Sequence, residues 1–196
     1  MKQRSPGILV CLFMLVSLLP GALQAQFDSS FVKSHMLKCA DSMAWGFRAR
    51  NWDVFARYTN PAIIGSMGGK AEFINFTTGV FGQIPDSSWK VYKPGKILQL
   101  IKSGNDFQSI IELNSVIEWE GRRITAVNHL VGQSWDGGIF WTFFDSQNSQ
   151  KSATQIKPDL SPDLVVPAKV PEKVEPIRPP APLKPAAKPV KPAAKG

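Results

Sequence analysis

The chain is poor in the residues that make a site obvious. Its 196 residues include only two cysteines and two histidines. Cys11 falls inside an N-terminal apolar run, which leaves Cys39 as the single cysteine of the remaining chain. No internal disulfide can form there, so the core must be held by packing, and Cys39 reads as a small buried apolar residue rather than a nucleophile. His35 and His129 stand far apart in sequence and make no metal-ligand spacing with Cys39, so no metal is expected. Gly68-Gly69-Lys70 lacks the flanking glycine and hydroxyl positions of a phosphate loop and reads as a helix entry. Nothing else resembles a cofactor motif, and no cofactor is expected. Nor is there a catalytic constellation from which a reaction could be named.

Excess charge is also missing where it would matter. The formal net charge is +8, but residues 26–156 hold 13 basic and 11 acidic side chains. A nucleic-acid-binding domain should concentrate basic residues and stacking aromatics on one face, and this stretch does not, which argues against a nucleic-acid partner. The first 25 residues have the build of a secretory signal: Lys2 and Arg4, the apolar run Ile8 to Leu19, then Pro20-Gly21 and small Ala22 and Ala25. The run is shorter than the ~20 residues of a spanning helix. Cleavage after Ala25 and export to the periplasm or beyond are therefore expected.

What is present is periodic. Val32, Met36, Ala40, Met43 and Phe47 recur at spacings of three and four behind the cap candidates Asp28-Ser29-Ser30, as in an amphipathic helix laid on a sheet. Asn51 can cap a short helix, WDVFARY, that Asn60-Pro61 should stop. Ala62 to Ile64 form a short apolar run, Gly68-Gly69 a turn, and Lys70 to about Phe81 a third helix with Phe73, Ile74, Phe76 and Val80 as its apolar side. Asn75-Phe76-Thr77 matches the glycosylation sequon but falls in that helix and is discounted. From Trp89 the period is two. Trp89 to Tyr92 and Lys96 to Ile101 read as strands turning at Pro94-Gly95. A turn at Ser103 to Asp106 leads into a meander: Phe107, Ser109, Ile111, Leu113 and Ile117 alternate with Gln108, Glu112, Asn114 and Glu118, predicting one buried and one wet face. Ile124 to Val131 and Ile139 to Phe144 follow, separated by turns at Glu120-Gly121 and Asp136-Gly137-Gly138. Three helices before about five strands predict an α+β domain over residues 26–150, with the helices packed on a strongly curved antiparallel sheet.

Residues 151–196 are read as a disordered basic tail. Eleven of the 16 prolines lie from Lys157 onward, and the last 20 residues have no acid and no aromatic. Such a segment should be extended and polyproline-like. Its spread lysines are expected to associate weakly with an anionic envelope surface.

Ser134-Trp135-Asp136-Gly137-Gly138-Ile139-Phe140-Trp141 resembles the Asp-box turn of sialidase propeller hairpins, in which the box is structural. Here Asp136 could accept backbone N–H groups, Gly138 adopt positive φ, and Trp141 pack beneath. One copy without a repeat excludes a propeller. FARYTNPAIIGSMGGKAEFI and SWDGGIFWTFFD, with the order of elements, resemble the nuclear transport factor 2-like (SnoaL-like) superfamily and its small exported bacterial members over roughly residues 30 to 145. The resemblance implies a cone-shaped fold enclosing a pocket. The superfamily includes ketosteroid isomerase, scytalone dehydratase, polyketide cyclases and many non-catalytic proteins. It also implies homodimerisation through the open sheet face, which an exposed Phe140 or Phe144 would suit. Isomerase-type members carry a carboxylate base shortly after the second helix, where this chain has Ile63 and Ile64, and neither can take a proton.

The polar candidates for a pocket are Asp41, Tyr58, Asn114, Asn128 and His129, with Trp45 and Trp141 as walls. Parity along the strand leaves open which of Asn128 and His129 points inward. The leading reading is a binding or accessory module for a small apolar ligand. A lyase or isomerase using His129 or Asp41 as base stays open, as does a structural envelope protein whose cone is filled by its own aromatics.

Overall fold

The computed structural model describes residues 29–177. The expected signal segment and the last part of the expected tail lie outside the described residues. Four helices precede the sheet: α1 (Ser29–Arg48), α2 (Trp52–Tyr58), α3 (Pro61–Ser66) and α4 (Lys70–Phe81). After a 3-10 turn come β1 (Trp89–Ser103), β2 (Asp106–Trp119), β3 (Arg122–Ser134) and β4 (Thr142–Asp145), and then α5 (Gln150–Ile156) and β5 (Lys173–Pro176). The molecule is α+β with a curved antiparallel sheet in the order β1-β2-β3-β4, and β5 is added to the same edge of β3 that β4 occupies.

The predicted stripe of α1 is the stripe it buries: Val32, Met36, Ala40, Met43 and Phe47 all face the sheet. Asn51 caps α2 by accepting from the Val54 N–H at 3.1 Å. The helices can cross this closely because position 46 is glycine. A Cβ there would stand 2.8 Å from the backbone nitrogen of Phe55. Asn60-Pro61 stops α2 as expected, but it also starts a helix that the apolar run did not suggest. The Asn60 side chain accepts from the Ala62 N–H at 2.9 Å, and Pro61 takes the first helical position, where its missing N–H costs nothing.

Two strand expectations are corrected. Pro94-Gly95 is not a turn: β1 runs unbroken through it, and the pairing slips between Pro94, opposite Leu113, and Ile97, opposite Ile111. A proline cannot donate to the ladder, and a bulge is where a sheet tolerates that. The Lys96 N–H freed by the slip donates to the Glu112 carboxylate at 3.1 Å. The turns at Gly104 and at Glu120-Gly121 are real. Glu120 and Gly121 both have positive φ, 48° and 73°, the two-residue type I′ geometry that matches strand twist. The free edge of β1 carries Lys90, Lys93, Lys96 and Lys102, which discourages edge-to-edge pairing.

The second correction is that β2 has no wet face over its first half. From Phe107 to Ile111 every residue is buried. Phe107, Ile111 and Leu113 pack with Leu130, Trp141 and Phe143 beneath α1. Ile110, Val131 and Phe144, on the opposite face, pack against Ala153, Leu160, Leu164 and Val166. Residues 151–177 are therefore not an extended tail: the part to Val166 crosses the outer face of the sheet, and Lys173–Pro176 pairs along the edge of β3. Gln108, from the face expected to be wet, and Gln99 of β1 clamp this segment. Gln108 accepts from the Ser161 N–H at 2.7 Å and donates to the Asp159 carbonyl at 3.3 Å. Gln99 accepts from the Val165 N–H at 2.9 Å and donates to the Val165 carbonyl at 2.8 Å. Phe144, expected to be exposed for dimerisation, is buried under the segment, and Phe140 is half-buried against Tyr58.

Candidate functional site

Beneath α4, between α1, α2 and the inner face of the sheet, lies a cavity of about 370 Å³. Its walls are apolar, with Met43, Phe55, Phe73, Leu113 and Phe143 among them. The aromatic residues hold one another in place. Phe47 stacks on Tyr92 at 4.1 Å and meets Trp89 and Phe81 edge-on at 4.8 Å and 4.9 Å, while Phe55 stacks on Phe73 at 5.8 Å. Rings fixed in this way leave a preformed space rather than one that must be opened.

Four polar side chains, Thr59, Tyr92, Asp145 and Gln147, line this space; the Thr59 hydroxyl donates to the Phe55 carbonyl at 2.9 Å, and Tyr92 and Asp145 are the two that titrate. The Tyr92 phenol is pushed well above its ordinary value by burial and, secondarily, by the negative charge of Asp145, so it remains a neutral hydroxyl. Asp145 stands at the mouth beside Gln147. Burial raises its carboxyl above the usual range, against the lowering effect of the Gln147 N–H, which donates at 2.6 Å, and of the nearby His129. Solvent contact at the mouth tempers that shift. Sequence reasoning missed both residues. Tyr92 shares the inner face with Trp89 only because the register slips between Trp89 and Val91, which breaks the alternation on which parity depends. Asp145 points inward because it pairs with Leu130 in β3, a register no local pattern reveals.

None of the seven side chains expected from the sequence lines this cavity. Trp141 is fully buried in the core, and its indole N–H donates to the Gly138 carbonyl at 3.0 Å. Asn128 lies on the inner face opposite Leu113 and accepts from the Asn148 amide at 3.3 Å. His129 lies on the outer face opposite Glu112, buried, and its Nδ1 has no hydrogen-bond partner among the described residues. Asn114 is also on the outer face, beside the bulge, where its amide leaves no room for a Cβ at Gly95. Asp41, Trp45 and Tyr58 come together, but on the far side of α1, in a separate surface cleft.

The closing turn behaves as its resemblance implied. Asp136 accepts from the Ile139 N–H at 3.1 Å and the Phe140 N–H at 3.0 Å, and from the Ser134 hydroxyl at 2.8 Å. Burial would raise its carboxyl, but these donors outweigh that and hold it below the ordinary value. Gly137 and Gly138 have φ of 78° and 91°. The turn has the donors and strain of a structural device, and its carboxylate is fully engaged.

No known relative decides the matter. No protein-family model matches the chain, and neither a curated protein nor a solved structure is significantly similar to it. Among the described residues, no three His, Cys, Asp or Glu side chains come close enough to hold a metal ion, and no helix is long and apolar enough to cross a membrane.

Proposed function

We propose that the protein is an exported binding module of the nuclear transport factor 2-like kind that holds a small apolar ligand in the cavity beneath α4. The observation that carries this reading is the cavity itself: about 370 Å³ walled by fixed aromatic and aliphatic side chains, with a single carboxylate, Asp145, at its mouth. Such a site favours a ligand with an apolar body and one hydrogen-bond-donating or cationic head, because a second polar group would lose its hydration against the walls. Tyr92 adds one neutral hydroxyl within. The lyase or isomerase alternative loses its named bases, since Asp41 and His129 lie outside the cavity. The filled-cone alternative is disfavoured by the open volume. Export rests on the character of residues 1–25, and weak attachment to an anionic envelope surface rests on the evenly spread lysines from Lys184 onward.

The test is titration with the neutral probe N-phenyl-1-naphthylamine. Saturable fluorescence enhancement is expected, and it should be abolished by Leu113→Phe, which fills the cavity. No enhancement with the folded parent protein would refute the reading.

A further inference from the structure

We propose that the cleft between α1 and α2 is a second binding site, suited to the flat face of a neutral pyranose in an oligosaccharide. The cleft has a volume of about 400 Å³, within the range of small-molecule sites, and is lined by Asp41, Ser42, Trp45, Val54, Arg57 and Tyr58. Trp45 is 51% exposed, and its indole stacks on no other ring among the described residues. Tyr58 is held rigidly beside it. Its ring lies 5.4 Å from that of Phe140, and the Arg57 guanidinium covers both rings at 5.8 Å and 5.7 Å. The Tyr58 wall of the cleft is thus preorganised, which lowers the entropy lost on binding.

The charges select the ligand class. Asp41 and Arg57 line one cleft, yet neither makes an ion pair or side-chain hydrogen bond among the described residues. The Ser42 hydroxyl donates to the Lys38 carbonyl at 2.8 Å, so toward a ligand it can only accept. A purely apolar ligand would strip water from both charges with nothing in return. A cation or an anion would satisfy one charge and be repelled by the other. A sugar ring offers hydroxyls that donate to Asp41 and accept from Arg57, while its C–H face lies on the indole. Asp41, Arg57 and the Trp45 indole are then all used by one ligand. This site is independent of the cavity beneath α4, on the other side of α1.

Isothermal titration of the full protein with triacetylchitotriose and with cellotriose tests the assignment. One-to-one binding with a Kd on the order of 1 mM is expected for at least one of them. Trp45→Ala should weaken it about tenfold or more, the worth of one good stacking contact. Asp41→Asn should weaken it with no change in melting temperature. Trp135→Ala, an exposed tryptophan beneath Lys157 outside the cleft, should leave it unchanged. Three results overturn the proposal. Neither saccharide binds; or a zwitterionic dipeptide, Ala-Ala, binds in their place; or light scattering shows self-association that Trp45→Ala abolishes, which would make the face an interface between copies.

Discussion

Leu164→Ala tests whether residues 157–177 are part of the folded domain. Leu164 has no exposed surface and packs with Ile110, Val131 and Phe144 on the outer face of the sheet. Removing its branched end deletes the transfer free energy of three carbons and leaves a cavity that the clamps at Gln99 and Gln108 prevent from closing. The expected cost is about 2–5 kcal/mol. For a domain of this size each kcal/mol lowers the melting temperature by roughly 2–4 °C, so a fall of several degrees to more than ten is expected. Val165 is the internal control. It is the next residue and is 57% exposed, so Val165→Ala should stay within about 0.5 kcal/mol of the parent. Thermal unfolding by circular dichroism of the two variants and the parent measures both. If Leu164→Ala melts with Val165→Ala, the segment does not dock, and the second core described above is wrong.

Three further outcomes can be measured on the same footing. Gly138→Val should cost about 1–3 kcal/mol, because a β-branched residue is forced to positive φ. Its Cβ would also stand 2.7 Å from the Val32 side chain, so a variant as stable as the parent in chemical denaturation would exclude the turn geometry. Asp136 has a lowered folded pKa, so its stabilisation is present above its ordinary value of 3.8 and is lost as pH falls through the folded value. Asp136→Ala should therefore be less stable at neutral pH and less acid-sensitive, and parallel pH-stability curves would contradict this. Asp145 has the opposite sign. Its folded pKa is raised, so the ionised carboxylate penalises the fold as pH rises through it. Asp145→Asn keeps an acceptor for the Gln147 N–H and should melt higher at pH 7, with the difference vanishing as pH falls toward 3.8. A lower melting temperature at pH 7 would mean that Asp145 is paired rather than desolvated.

Much of the local structure was legible because it is decided locally. The stripe of α1, the Asn51 cap, the entry of α4 at Gly68-Gly69 and the Asp136 turn each depend on residues within a few positions of one another. α3 is not legible in its short apolar run because Pro61 signals a stop for α2 and is equally at home in a first helical turn. The Pro94-Gly95 turn was misread for a related reason: a turn and a bulge use the same residues, and the partner strand chooses between them.

The amino-acid order by itself determined α1, α2, α4 and the β2–β3 meander, the α+β class and the structural character of the closing turn, since periodicity, caps and glycine φ preferences act over short range. Only the tertiary structure decided the faces and the sites. The slips in β1 put Tyr92 inward against parity, the pairing of β4 with β3 put Asp145 at the cavity mouth, and α1 separated Asp41, Trp45 and Tyr58 from that cavity. Composition suggested a free tail from residue 151, but Leu160, Leu164 and Val166 found an apolar sheet face waiting for them. A proline-rich segment buries only what its neighbours leave uncovered, and that is a property of the assembled sheet rather than of the segment.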